Sequence, residues 1–241
     1  YDPPLKGVRI LELGQIIAGT YGGQLLTDLG AEVVKVESPK GDLGRLDSIA
    51  PFKGHSGLFL TFNRNKKSVV IDLKKEAGLG IFYELVKKSD VVVDNFRPGV
   101  LEKLKVDYKT LKKINKKIIQ CSITGFGTTG KYKDLPALDI IIQSISGMLA
   151  ITGQPGGPPS RVGIPISDLS GGVFSSSGIL AALYDRERTG EGKRIELSMF
   201  DSMLSLLSYM GTMWLTNGEL PTPQGTKHEY TVPWQAFKTS D

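Results

Sequence analysis

The chain has 241 residues, 40% hydrophobic and 23% charged, with a formal net charge of +5. That is globular composition, enough for one large domain or a domain with part of a second, and no run of eighteen apolar residues argues for a membrane span. The single cysteine, Cys121, excludes an internal disulfide framework, and with only His55 and His228 beside it a Cys/His zinc cluster is not expected.

The first half alternates strand and helix. Val8 to Leu13 reads as a short strand ending at Gly14, residues 18–29 as a helix closed by Gly30, and residues 31–37 as the next strand. Strand, helix and strand in about thirty residues make a βαβ unit with parallel strands and a right-handed crossover. The pattern recurs with a strand over 68–73, a helix over 76–88 and a strand over 90–94. Short helices near 100–105 and 108–114 then lead to a strand over 117–123. Continuous Val/Ile runs suit strands buried on both faces, so an open, doubly wound, Rossmann-like sheet is expected. Cys121 falls inside such a run, where a buried, inert thiol is the simplest reading.

Beyond Pro136 the texture changes. Residues 137–150 read as a helix, 153–165 as a Gly/Pro-rich loop, and Ser167-Asp168-Leu169-Ser170-Gly171-Gly172 opens a long helix to about Glu187. A strand over 194–197 precedes a helix over 200–215 that is apolar most of the way round, which predicts burial in the core or in a subunit interface. Residues 221–241 are turn-rich, and 236–241 read as a strand entering a turn.

The lysine pairs, Lys66-Lys67 among them, read as solvated faces with a modest capacity for phosphate-bearing ligands. No basic-aromatic array argues for nucleic acid. The start lacks a basic segment followed by an apolar run, so no secretory signal is expected, and a reducing compartment fits the lone cysteine.

Neither G-x-G-x-x-G nor a P-loop occurs. Glu37 mimics the acidic residue that holds a ribose, but without the phosphate-binding turn a dinucleotide site is not expected. Asp94-Asn95-Phe96-Arg97-Pro98-Gly99 ends a predicted central strand, where open α/β sheets bind ligands. Its Asn and Arg can bond phosphates, its Phe can stack, and Pro98 suits the first turn of the next helix. Asp168 has two readings. It or Ser167 can cap the long helix. Alternatively, a carboxylate ionised by the helix N-terminus beside a Gly pair can attack a thioester.

These residues converge on a family. The chain resembles the class III CoA-transferases, the group that includes formyl-CoA transferase and the α-methylacyl-CoA racemases. The resemblance rests on six blocks in order: the opening Pro4 to Leu13, Leu29-Gly30-Ala31 through Glu37, Asn63 to Ser68, Asn95-Phe96-Arg97-Pro98-Gly99, Ser122 to Gly127, and Pro165-Ile166-Ser167-Asp168-Leu169.

The resemblance implies a CoA-binding Rossmann-like large domain over residues 1–220. Residues 221–241 would be a linker and the start of a smaller domain, in an interlocked homodimer. It implies Asp168 as the nucleophile and Ile17, Ala18, Ile71, Lys74, Asn95, Phe96, Arg97 and Lys103 as CoA contacts. Leu138 would line the acyl pocket. Acyl-CoA and a carboxylic acid, with short dicarboxylates as the class expected, would be substrates, with no permanently bound cofactor or metal and a cytoplasmic, mitochondrial or peroxisomal setting. A glycine-rich loop that shields the site is expected beyond residue 241. Two departures stand out. Formyl-CoA transferase has Gln where this chain has Ile17 and Tyr where it has Leu138, so formate/oxalate specificity is not expected. The racemases have a catalytic His in place of Leu138, so transfer is expected over racemisation.

Overall fold

The computed structural model describes residues 2–46 and 49–241. Six strands form one parallel sheet: β1 (Arg9–Glu12), β2 (Glu32–Glu37), β3 (Lys67–Val70), β4 (Val91–Asp94), β5 (Ile119–Thr124) and β6 (Arg194–Ser198), in the order β3-β2-β1-β4-β5-β6. The order reverses between β1 and β4, which opens a crevice at their carboxyl ends.

The period of two along each strand divides the core between the two faces of the sheet. Ile10, Val91, Val93, Ile119, Cys121 and Ile123 point one way, against α1 (Ala18–Asp28), α8 (Ile166–Thr189) and α9 (Met199–Leu206). Leu11 and Val92 point the other way, against Phe82 and Val86 of α3 (Glu76–Lys87) and Leu111 of α5 (Tyr108–Ile114). Each such side chain contributes about 1.5–3 kcal/mol on full burial. Cys121 is buried, and burial pushes its thiol well above the ordinary range, so it is chemically quiet.

α8 is 24 residues long and is apolar enough by length and composition to cross a membrane, yet it packs as a core helix. Its Gly171 meets Ile123 and Met199, and its Gly172 lies so close to α1 that a Cβ there would stand 2.8 Å from the Tyr21 ring and 3.1 Å from the Gly22 nitrogen. Small residues are therefore required along the α1–α8 seam.

Four differences from the sequence reading have local causes. The expected helix over 137–150 is two pieces, α6 (Asp139–Ile145) and α7 (Met148–Ile151), broken where Gly147 takes the left-handed conformation. The expected helix over 200–215 breaks at Ser208 into α9 and α10 (Ser208–Asn217), and α10 keeps its apolar side chains exposed. Residues 236–241 are irregular and join no ladder. The fourth is a helix not expected, α2 (Gly57–Asn63), capped by the Ser56 hydroxyl; the expected short helix near 100–105 is α4 (Val100–Lys103), entered through left-handed Gly99 just after Pro98.

Lys66, read as solvated, is buried. Its ammonium donates to both Glu12 carboxylate oxygens at 3.0 and 2.8 Å and to the Thr20 carbonyl at 2.7 Å. Lys35 bonds Glu12 at 3.1 Å and the Gly14 carbonyl at 2.7 Å, and pairs with Asp42 at 2.6 Å. Burial lowers the Lys66 pKa, opposed by Glu12. Such a network is costly to desolvate and costlier to break on one side. It sits directly beneath the loop that follows β1.

Candidate active site

Gly14 and Gly19 start the site. A Cβ on Gly14 would lie 2.9 Å from the Gly19 Cα, so two glycines let β1 turn into α1 with backbone against backbone. Between them Ile16 adopts φ 64°, a left-handed conformation that costs a branched residue about 1–3 kcal/mol. Its neighbours hold it there: the Asp42 carboxylate accepts the Ile16 N–H at 3.2 Å. The Asn95 side chain accepts the Gln15 N–H at 2.8 Å and donates to the Gln15 carbonyl at 2.9 Å. Asn95, expected as a CoA contact, thus spends its amide on clasping the loops after β1 and β4 together.

Glu37 is fully engaged. Its carboxylate accepts two bonds from Arg45, at 2.7 and 2.6 Å, one from Ser68 at 2.5 Å and one from the Asp42 N–H at 2.9 Å. Against its burial, these partners hold its pKa down at about 2. No acceptor is left for a ribose, in keeping with the missing dinucleotide turn.

A chamber of about 210 Å³ opens above this loop. Its lining includes Ile17, Ala18, Asn95, Phe96, Arg97, Leu138 and Asp168, so seven of the predicted site residues meet in one place. Ile123, Leu135, Ala137 and Met199 make the rest of the wall largely apolar. Three predicted CoA contacts lie outside this lining. Ile71 is buried in the core beside Leu11 and Val36, while Lys74 after β3 and Lys103 at the end of α4 are exposed.

Asp168 is not the helix cap. α8 begins at Ile166 after Pro165, without a side-chain cap, and Asp168 is its third residue. Ser167 does not cap it either. Its N–H and hydroxyl both go to Asp139 Oδ1, at 2.9 and 2.7 Å. The second Asp139 oxygen accepts Gln143 Nε2 at 2.6 Å, and Gln143 Oε1 accepts the Val162 N–H at 3.0 Å. Asp139, which the sequence reading missed, thereby moors the start of α8. Its only signal was an acid in the first turn of a helix, which many surface helices share.

The expectation that Asp168 is fully ionised is corrected. Burial, and then the Asp139 charge, push its pKa up to about 7. A helix N-terminus favours the anion by about 0.3–1 kcal/mol, whereas burial can shift a carboxyl by several pKa units, so burial wins. A carboxyl shifted this way binds its proton more tightly than a solvated one, and its carboxylate is correspondingly more basic. The site therefore holds a half-buried carboxyl in a largely apolar chamber that Arg97 also lines. Lys133, also missed, lines the chamber from the loop between β5 and α6.

A second, polar cleft of about 310 Å³ adjoins it and shares Phe96, Arg97, Pro98, Thr124 and Lys133. At its base Asp94 accepts the Ser122 hydroxyl at 2.7 Å and the Phe96 N–H at 3.2 Å, and burial raises its pKa to about 7.

Comparison with known proteins identifies the family. The chain is 44% identical over 241 residues to the acetyl-CoA:oxalate CoA-transferase of Acetobacter aceti, and 38% identical over 246 residues to the succinate–glutarate CoA-transferase of Agrobacterium fabrum. Each alignment covers 99% of this chain but only 61% or 62% of the relative, so the chain spans about three fifths of their length. A crystal structure of a CAIB/BAIF family protein from Brucella suis superposes with a TM-score of 0.93 at 38% identity, covering 100% of this chain and 65% of that one. The model of CoA-transferase family III matches residues 5–241, and the chain belongs to that family.

Proposed function

We propose that the protein transfers CoA from an acyl-CoA to a carboxylic acid, with Asp168 as the covalent carrier and short dicarboxylates as the substrate class. The observation that carries this reading is the place of Asp168: an unpaired carboxyl in an apolar chamber at the β1/β4 crevice, among residues suited to holding a CoA thioester. Phe96 and Arg97 offer a stacking face and a phosphate-binding fork beside that crevice.

The steps balance without a cofactor or net proton change. An Asp168 carboxylate oxygen attacks the thioester carbonyl, the C–S bond breaks, and CoA leaves as thiolate from a mixed anhydride. The thiolate attacks the Asp168 carbonyl carbon and expels the donor acid, leaving an aspartyl-CoA thioester. The acceptor carboxylate attacks that thioester and displaces the thiolate. The thiolate then takes the acceptor acyl group and frees Asp168. Excluding water from the chamber protects the anhydrides from hydrolysis.

The names of the relatives support dicarboxylates as a class, with oxalate named for one and succinate and glutarate for another. Racemisation needs a second acid/base opposite Asp168, and Leu138 cannot supply it. The test is mass spectrometry of the full-length protein incubated with acetyl-CoA and succinyl-CoA. A hydroxylamine-sensitive acyl or CoA adduct on the peptide containing Asp168, absent in Asp168→Ala, is expected. Undiminished transfer by Asp168→Ala would overturn the reading.

A further inference from the structure

We infer that Lys133 is a specificity-determining residue: it binds the remote carboxylate of a dicarboxylate acceptor while the near carboxylate attacks at Asp168. This rests on the CoA-transfer reading above.

A dicarboxylate brings two charges into a chamber that is apolar apart from a few groups. The near carboxylate meets Asp168 as a neutral aspartyl-CoA thioester, and its charge is consumed in the attack. The remote carboxylate stays ionised throughout. It needs a cation, because an unpaired charge in an apolar pocket is expensive. Two cationic side chains line the chamber, Arg97 and Lys133. Neither makes a side-chain ion pair or hydrogen bond among the described residues, whereas Lys35 and Lys66 are saturated by Glu12 and its neighbours.

The two cations stand on different elements. Arg97 follows β4 beside Phe96. Lys133 belongs to the segment between β5 and α6, which also contributes Leu135, Ala137, Leu138 and Asp139 to the lining. That segment is anchored next to Lys133: the Tyr132 ring packs on Phe126 at 5.8 Å between centroids, and the Tyr132 carbonyl accepts the Leu135 N–H at 2.9 Å.

A second polar group faces the same junction. Thr124 lines both clefts, is 8% exposed, and its buried hydroxyl has no hydrogen-bond partner. The lysine acts as a point charge on a flexible stem, so one residue can serve dicarboxylates of several lengths.

The experiment is steady-state kinetics of the full-length enzyme with acetyl-CoA as donor. Succinate, glutarate and oxalate serve as acceptors beside butyrate and propionate. Lys133→Ala and Lys133→Met are expected to raise KM for the dicarboxylates by about tenfold, the effect of one well-placed partly exposed charge. KM for acetyl-CoA and for the monocarboxylates should stay unchanged, and Lys133→Arg should restore most of the preference. An equal change for both acceptor classes, or a rise confined to KM for acetyl-CoA, overturns the assignment. So does wild-type enzyme that uses monocarboxylates alone. Wild-type protein forming no covalent adduct overturns the transfer reading with it, whereas adduct and transfer with no effect at Lys133 overturn only the assignment to Lys133.

Discussion

At the scale of single residues, the role proposed for Asp168 makes its protonation the control point. On that proposal the nucleophile is the carboxylate, so raising pH through its pKa populates the reactive form. With that pKa near 7, kcat/KM for the acyl-CoA is expected to rise with pH, bend near pH 7 and level off above it. Asp139 contributes part of the upward shift. In Asp139→Asn the bend should therefore move to lower pH, read from a pH–rate profile over about pH 5–9. The same variant keeps an acceptor for Ser167 but turns an amide toward Gln143 Nε2, so a lower melting temperature is expected alongside. A stability change without movement of the bend would mean that Asp139 moors α8 and does nothing more.

At the scale of elements, the α1–α8 seam decides where Asp168 stands. Gly172→Ala would place a methyl group 2.8 Å from the Tyr21 ring and 3.1 Å from the Gly22 backbone. The ring can rotate away, but the backbone has no such freedom. A loss of about 1–3 kcal/mol is expected from overpacking, measurable by urea denaturation. Because Asp168 lies one helical turn before Gly172, activity should fall further than the unfolded fraction accounts for.

The central strands were legible because burial on both faces writes itself as an apolar run, as in Val91-Val92-Val93 of β4, while the largely exposed edge strands β3 and β6 were legible from their place in the alternating order. Breaks inside helices were not. Gly147 and Ser208 sit within apolar runs that fit a continuous helix, and only the left-handed backbone at each shows the stop. Within the site, Asp168, Phe96 and Arg97 were legible from their local motifs. Asp139, Lys133 and the buried Lys66 were not, since an acid in a first turn and lysines in polar loops read as solvent-facing. Lys35 shows why. Its place in an alternating strand gives no sign that Glu12, 23 residues earlier, is waiting below.

At the scale of the whole molecule, α10 is the unfinished surface. Trp214 is 53% exposed and Leu215 76%, beside a groove of about 540 Å³ lined by Ile145, Ile151, Leu204 and Leu207. Contiguous apolar surface of this kind marks a contact waiting for a partner. The interlocked homodimer expected from the family resemblance is a fitting cover. Interlocked subunits part only on unfolding, so Leu215→Asp in the full-length protein should lower the recovery of dimer on refolding from urea, read by sedimentation. An unchanged recovery would place the interface elsewhere.

The clasp between Asn95 and Gln15 has a consequence for how a ligand enters. Most crevices between two loops can widen as a guest arrives and tighten afterwards. Here one side-chain amide bridges both walls, with the buried Lys35–Glu12–Lys66 lattice as bedrock beneath. The floor is cast before any ligand arrives. Little ordering entropy remains to be spent on it, and any gating of the chamber has to come from whatever closes over the top.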